Sequence, residues 1–352
     1  MTMNLFQEMK TGGHEQLLVC SDPKVGLQAI IAIHNTTRGP ALGGCRMWPY
    51  KTFEAALSDV MRLARAMSYK AAVSDLPLGG GKSVIWGDSQ TQKTPGLLAA
   101  FAKQVDLLGG RYIVAEDVGI GVPDIEEMKK ITPHVSGFPR SKGGSGDPSP
   151  ATAYGVFCSM RACLEAVFGS PSFQGKRIAI QGMGKVGTAL AKLLHEADAK
   201  LYVSDMDPEK MAYATREFGG DPIHGHEIYR VDCDIFSPCA LGGTVNERTI
   251  PSLSCPIVAG AANNQLERPE DIALLEAKNI LYAPDYVINA GGLINIYEEI
   301  QGYDQARAYK RVEAIYDRLK EVFALSKTDT ISTAAAADKL AETRLIVKRN
   351  HD

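Results

Sequence analysis

The chain has 352 residues, 45% apolar and 22% charged, with a formal net charge of −3. That length allows two domains with separate cores, and the charge, with no basic stripe, gives no field for nucleic acid. No apolar run approaches the ~18 residues of a membrane span, and Met1-Thr2-Met3-Asn4-Leu5-Phe6-Gln7-Glu8 lacks a signal peptide's apolar core, so the expectation is a cytoplasmic protein.

In chain order, residues 16–20 and 27–34 read as strands, the second a β-branched run suited to burial. Phe53, Leu57, Val60, Met61, Ala64 and Met67 recur at helical spacing and predict an amphipathic helix ending near Lys70. Leu78-Gly79-Gly80-Gly81-Lys82-Ser83 then reads as a glycine loop carrying a second lysine, twelve positions after the first. Glycine permits φ > 0 and close approach of a ligand to the main chain. The spacing does not match the phosphate loop G-x-x-x-x-G-K-[ST]. Two readings stand side by side here: a surface turn with two solvated lysines, or a lysine whose proton affinity is reduced by burial and like charge. Ile113-Val114-Ala115 reads as a strand ending at Glu116-Asp117-Val118-Gly119. A carboxylate there stands where open sheets meet their ligands, and a helix or turn cap explains it equally well on local grounds.

The glycine, serine and proline density of residues 140–150 marks a linker or hinge. A helix over 152–168 follows, and then the apolar strand Arg177-Ile178-Ala179-Ile180-Gln181 runs into Gly182-Met183-Gly184-Lys185-Val186-Gly187. The next helix has Val186, Leu190, Leu193 and Leu194 on one face, and a second strand, Lys200-Leu201-Tyr202-Val203-Ser204, ends in Asp205. Strand, G-x-G-x-x-G, helix, strand and acid in this order are the requirements of a dinucleotide site. The first two glycines bring backbone N–H groups to a pyrophosphate at a helix N-terminus, and the third lets helix pack on strand. Asp205 would accept hydrogen bonds from the ribose hydroxyls and repel a 2′-phosphate, so the cofactor read from the chain is NAD.

Beyond this, Asp207, Pro208 and Gly219 punctuate one helix as N-cap, first turn and stop. Residues 235–237, 257–259 and 280–283 read as short strands, and 306–325 and 332–348 as long charged helices that brace the domains. Seven scattered cysteines without C-x-x-C read as reduced, buried small hydrophobes. His224-Gly225-His226 lacks further ligands at metal spacing, so it reads as a solvated loop and no metal is expected.

A wider set of motifs carries a resemblance. It comprises His14-Glu15-Gln16, Gly39-Pro40-Ala41-Leu42-Gly43-Gly44, Met67-Ser68-Tyr69-Lys70, Leu78-Gly79-Gly80-Gly81-Lys82, Ala115-Glu116-Asp117-Val118-Gly119 and Pro148-Ser149-Pro150. It continues with Ala259-Gly260-Ala261-Ala262-Asn263-Asn264-Gln265-Leu266 and Tyr282-Ala283-Pro284-Asp285-Tyr286-Val287-Ile288-Asn289-Ala290-Gly291-Gly292. In register over nearly the whole chain, these motifs resemble the leucine, phenylalanine and valine dehydrogenases, leaning overall to the leucine enzymes. The resemblance implies reversible NAD-dependent oxidative deamination of an L-amino acid to a 2-oxo acid and ammonia. It implies an α/β fold of two domains with the active-site cleft between them. Residues 1–140 would bind substrate and carry oligomerisation, 141–330 would form a Rossmann-like NAD-binding domain, and 331–352 a bracing C-terminal helix. A homo-oligomer, commonly an octamer, is implied as well.

Residue by residue, the resemblance implies that Lys70 holds the substrate carboxylate with help from backbone around Gly43 and Gly44. Lys82, its pKa lowered by desolvation and by Lys70, would be the general base that activates water, and Asp117 would shuttle a proton to and from the amino nitrogen. Asn264 would orient substrate. Asn263, Asn289 and Thr152 would join the 182–187 turn and Asp205 around the cofactor. The side-chain pocket would be Leu42, Ala115, Leu293 and Ile296, all apolar, which leaves a charged substrate side chain without a partner. Leu293 and Ile296 are larger than the valines usual in the leucine enzymes. Val73-Ser74-Asp75-Leu76-Pro77-Leu78 is more like the phenylalanine branch, whereas Gly43-Gly44, the segment Tyr112 to Asp117 and Pro148-Ser149-Pro150 lean to leucine. Asp147 stands where asparagine is common, and Cys45 where threonine or alanine is. Branched-chain substrates are favoured over phenylalanine and other aromatic ones. A non-catalytic NAD-binding regulator is disfavoured, because Lys70, Lys82 and Asp117 are all present.

Overall fold

The computed structural model describes residues 4–346, and these form two compact α/β units. The first takes residues 4–147, 296–303 and 341–346; the second takes 148–295 and 304–340. The first unit runs past residue 140 for a local reason. Ser145 donates from both its amide and its hydroxyl to the Glu299 carboxylate, and Gly146 donates to the carbonyl of Phe138.

The first unit contains α1 (Leu5–Gly12), β1 (Gln16–Asp22), β2 (Leu27–Asn35), β3 (Ala41–Trp48), α2 (Phe53–Val73), β4 (Gly79–Trp86), α3 (Pro95–Asp106), β5 (Tyr112–Ala115) and α4 (Val122–Lys129). Its sheet has the order β1-β2-β4-β3-β5, with β2 antiparallel to β1 and β4, and β3 parallel to β4 and β5. Successive side chains of a strand point to opposite faces, and β2 feeds two cores in this way. Ile30 and Ala32 pack on Leu57, Val60, Met61 and Ala64 of α2. Ile31 and Ile33 join Leu97, Phe101 and Val105 of α3 and Ile125 and Met128 of α4. Burial on both faces explains the unbroken apolar run.

Two sequence expectations change here. The helix α2 runs to Val73, with Lys70 inside its last turn. Gly79-Gly80-Gly81 opens a strand rather than a loop, and none of the three has positive φ. Close approach is what they provide: a Cβ on Gly80 would meet the amide nitrogen of Ser68 on α2 at 2.0 Å. The strand β3 went unread because Gly43 and Gly44 weaken its β signal.

The second unit begins with α5 (Ser149–Phe168), followed by β6 (Arg177–Gln181), α6 (Lys185–Glu196), β7 (Lys200–Ser204), α7 (Pro208–Phe218), β8 (Asp221–Pro222), β9 (Ile235–Pro238) and β10 (Ile257–Val258). Then come α8 (Ile272–Ala277), β11 (Leu281–Tyr282), α9 (Asp285–Ile288), α10 (Gly291–Ile300), α11 (Gln305–Glu313), α12 (Ile315–Asp329) and α13 (Thr333–Ile346). The last residues of α10 and α13 count with the first unit. The six-stranded sheet is parallel throughout, in the order β8-β7-β6-β9-β10-β11. That order reverses direction between β6 and β9, which is the switch point where such sheets bind ligands. Asp207 caps α7 by accepting from the amide of Glu209, and Gly219 ends it at φ +63°. The single helix expected over 306–325 is two, divided at Ala314, where ψ of −11° departs from the helical value. The expected final helix starts at Thr333; its positions 347 and 348 lie outside the described residues. Among the described residues no helix is long and apolar enough to cross a membrane.

Candidate active site

In the first unit the sheet register gathers several of the expected site residues. Leu42 pairs with Gly80 on one side and Ile113 on the other, and Gly44 pairs with Ala115. Leu42 and Ala115 are both buried. A Cβ on Gly43 would meet the Gly81 carbonyl oxygen at 1.8 Å, and one on Gly44 would meet the Asp117 Cβ at 2.8 Å. Only glycine at these two positions lets β3 lie this close to Lys82 and Asp117. The Tyr112 hydroxyl donates to the Gly43 carbonyl at 2.8 Å and lies 3.0 Å from Ser83 Oγ, which fixes the strand at that point.

Asp117 follows β5 in a tight turn. Its amide and carbonyl both bond to Ile120, at 3.2 and 2.9 Å, and Gly119 supplies the positive φ of +80°. The Val118 carbonyl accepts from the Met47 amide, tying the turn to β3. Lys82, 8% exposed on β4, places Nζ 2.7 Å from Asp117 Oδ2. The sequence reading set Lys82 against Lys70, whereas the group in contact with its ammonium is a carboxylate. Burial pushes the Asp117 carboxyl up, but the charge and hydrogen bond of Lys82 and the charge of Arg46 outweigh it, so its pKa falls below the ordinary value. Lys70 lies half-buried in the last turn of α2.

Arg46, on β3 two residues past Gly44, went unnoticed in the sequence. Its Nε lies 3.1 Å from Asp117 Oδ2 and its Nη1 2.9 Å from Asp59 Oδ2. Asp59, on α2, also accepts from Tyr50 Oη at 2.6 Å and Arg62 Nη2 at 2.8 Å. Arg46 reaches Asp117 across 71 positions, so no local pattern marks that pair. Cys45, between Gly44 and Arg46, is fully buried, and burial raises its thiol to about 12, which keeps it protonated and inert.

In the second unit the glycine turn has the geometry a dinucleotide needs. Gly182 takes φ of +103°. Gly184 caps α6, and a Cβ built on it meets nothing within 4 Å, which leaves open space at the helix N-terminus. A Cβ on Gly187 would meet the Gly182 carbonyl oxygen at 2.0 Å, so only glycine lets helix and strand pack so closely. Met183 and Lys185 lie in the same turn, and Val186 is half-buried in the first turn of α6. Asp205 follows β7 and accepts from the amides of Met183, at 2.7 Å, and Asp207, at 2.9 Å. A carboxylate has lone pairs for further donors, so these residues fit a dinucleotide cofactor.

Asn289 donates to Asn263 Oδ1 at 2.7 Å and to the Ala261 carbonyl at 3.1 Å. Its own Oδ1 is buried without a hydrogen-bond partner in the protein. Asn264, exposed, adopts φ of +51°. Thr152 donates to the Pro148 carbonyl, and its hydroxyl lies against Gly292, where a Cβ would meet it at 2.8 Å. Leu293 is buried in α10 of the second unit, while Ile296, half-buried, counts with the first.

The model of the Glu/Leu/Phe/Val dehydrogenase dimerisation domain matches residues 14–134. That of the glutamate/leucine/phenylalanine/valine dehydrogenase domain matches 143–209 and 202–349. The chain belongs to the glutamate/leucine/phenylalanine/valine dehydrogenase family. It is 50% identical over 347 residues to a leucine dehydrogenase of Geobacillus stearothermophilus, covering 99% of this chain and 95% of the relative. It is also 48% identical over 344 residues to an L-tryptophan dehydrogenase of Nostoc punctiforme, covering 97% and 96%. The crystal structure of L-tryptophan dehydrogenase from Nostoc punctiforme superposes with a TM-score of 0.88 at 45% identity, over 97% of this chain and 98% of that one. The protein is therefore an amino-acid dehydrogenase, an oxidoreductase with the two-domain α/β fold of its family.

Proposed function

We propose that this dehydrogenase oxidatively deaminates a branched-chain L-amino acid, with L-leucine foremost, using NAD. The observation that carries the reading is the Lys82–Asp117 pair, packed against Gly43 and Gly44. The first unit would hold substrate and carry assembly, in line with the dimerisation-domain match, and the second would hold the dinucleotide. Assembly as a homo-oligomer, an octamer by resemblance, completes the reading.

Lys70 holds the substrate carboxylate, and Asn264 orients the substrate. Asp117 takes a proton from the amino nitrogen. Bound NAD supplies the acceptor for the Cα hydride. Lys82, acting as the neutral amine, then takes a proton from the water that attacks the imine carbon, and Asp117 returns one to the nitrogen as ammonia leaves. The net change is amino acid, NAD⁺ and water to 2-oxo acid, ammonium, NADH and a proton. The apolar residues Leu42, Ala115, Leu293 and Ile296 would select the side chain, and the leucine dehydrogenase relative supports an aliphatic one.

The tryptophan dehydrogenase at 48% identity favours a second reading, an aromatic substrate. NADH absorbance with a panel of L-amino acids decides between the two. Leucine, valine or isoleucine should give the highest kcat/KM; phenylalanine or tryptophan ahead of them would overturn the choice of substrate, and turnover of none would overturn the reaction.

A further inference from the structure

The charged groups of the first unit form an alternating chain: Lys82, Asp117, Arg46, Asp59 and Arg62, each in contact with the next. Arg46 is its middle member. The planar guanidinium holds a carboxylate on each of two edges, Asp117 through Nε and Asp59 through Nη1. A guanidinium gripped at two points has its plane fixed, which a point-charge ammonium would not have. Arg46 is 24% and Asp59 17% exposed, so neither contact is a solvent-flickering surface pair. Asp59 cannot swing away, because Tyr50 and Arg62 hold its two oxygens.

Lys82 and Arg46 both bind the same Asp117 oxygen, Oδ2. Two cations on one oxygen fix how the carboxylate is turned. Asp59 also stands on α2, the helix whose last turn carries Lys70, so the Arg46 fork ties that helix to the strand beside Asp117. Partly buried ion pairs add little net stability over apolar packing of the same volume, whereas they fix geometry well.

We propose that Arg46, anchored by Asp59, is a positioning residue that sets the orientation of the proton-transfer carboxylate Asp117. The proposal rests on the assignment of Asp117 to proton transfer. It requires Asp59 to act through Arg46 and neither residue to bind substrate.

The test is a double-mutant cycle in the full-length enzyme, with kcat, KM for L-leucine, KM for NAD and Tm measured for each variant. Arg46→Gln should lower kcat by about 10- to 100-fold, at or below the bottom of the roughly 10²–10⁴-fold range for losing an acid–base group outright, with both KM values within about threefold of wild type. Arg46→Lys should recover part of that loss. Asp59→Asn should lower kcat by less, and in the Arg46→Gln background it should cost nothing more, because residues that act as a unit are not additive. Multiplying losses, an unchanged kcat in Arg46→Gln, or a raised KM for leucine at full kcat would each overturn the proposal. If Arg46→Gln does not fold, Asp59→Asn with wild-type Tm and wild-type kcat overturns it instead. Asp117→Asn at wild-type kcat would overturn the assignment beneath it. Arg46→Gln at wild-type kcat beside an inactive Asp117→Asn would overturn the positioning role alone.

Discussion

Lys82 Nζ lies 2.7 Å from Asp117 Oδ2, so the two groups proposed for proton chemistry are each other's counter-charge. Removing one partner of a buried pair strands the other, at a cost of about 3–5 kcal/mol when nothing compensates. Here Arg46 remains on Asp117 after Lys82 is lost. Lys82→Ala should therefore stay folded and lower kcat by about 10²–10⁴-fold, the span for a general acid–base group. NAD affinity should stay near wild type, because the glycine turn belongs to the other unit. Steady-state kinetics beside a fluorescence titration with NADH check this; near-normal turnover would remove Lys82 from the chemistry.

His34 gives the first unit a pH-dependent stability. Its Nε2 lies 2.9 Å from the Gly12 carbonyl and must donate, so in the neutral ring Nδ1 accepts from Ser68 Oγ at 2.8 Å. Burial, and next the charge of His14, lower its pKa from 6.5 to about 4. The unfolded chain thus binds a proton that the folded chain refuses between those values. The stability is complete above pH 6.5 and is lost as pH falls towards 4, roughly 2 kcal/mol of it by pH 5. Denaturant midpoints at pH 7.5 and 5 should show this loss. In His34→Gln the difference should shrink without vanishing, because burial also lowers the pKa of His14. An unchanged slope in the variant would assign the pH dependence elsewhere.

How much of this was legible follows from how far apart in sequence the contacts lie. The turn from Gly182 to Gly187, its helix and Asp205 lie within one βαβ stretch, so period and spacing revealed them together. The core stripe of α2 was legible for the same reason. The strands β3 and β4 were not, because their glycines look like breaks in the pattern and are in fact points where backbone meets backbone. Arg46 and Asp59 were invisible, since Arg46 reaches Asp117 across 71 positions and no local rule pairs them. The family motifs placed Lys82 and Asp117 side by side in role, while the fold made them partners in charge.

Asp205 carries a prediction about the cofactor. Both of its oxygens hold backbone amides, one in the glycine turn itself. A carboxylate at this place repels a 2′-phosphate, so wild type should strongly prefer NAD over NADP. Asp205→Ser removes the repulsion and also loosens Met183. The ratio of kcat/KM for NAD to that for NADP should therefore fall by about tenfold or more, one charge contact's worth, and KM for NAD should rise. An unchanged ratio would mean that another residue sets the preference.

The side-chain pocket is where an aliphatic and an aromatic reading part. Leu293 is 7% exposed in α10, and truncating it to Ala would open room for about three heavy atoms in the proposed side-chain pocket. One or two methylenes of lost apolar contact are worth about 1–3 kcal/mol, or 10- to 200-fold in kcat/KM. Leu293→Ala should therefore lose activity on leucine and valine and gain relative activity on phenylalanine. The same truncation costs about 2–5 kcal/mol of stability by leaving a cavity, so the comparison uses a ratio of substrates, which a smaller folded fraction does not move. Assays of all three substrates on one preparation, below its Tm, give that ratio. A ratio that stays at the wild-type value would show that Leu293 does not touch the substrate side chain, and would return the choice of specificity residues to Leu42, Ala115 and Ile296.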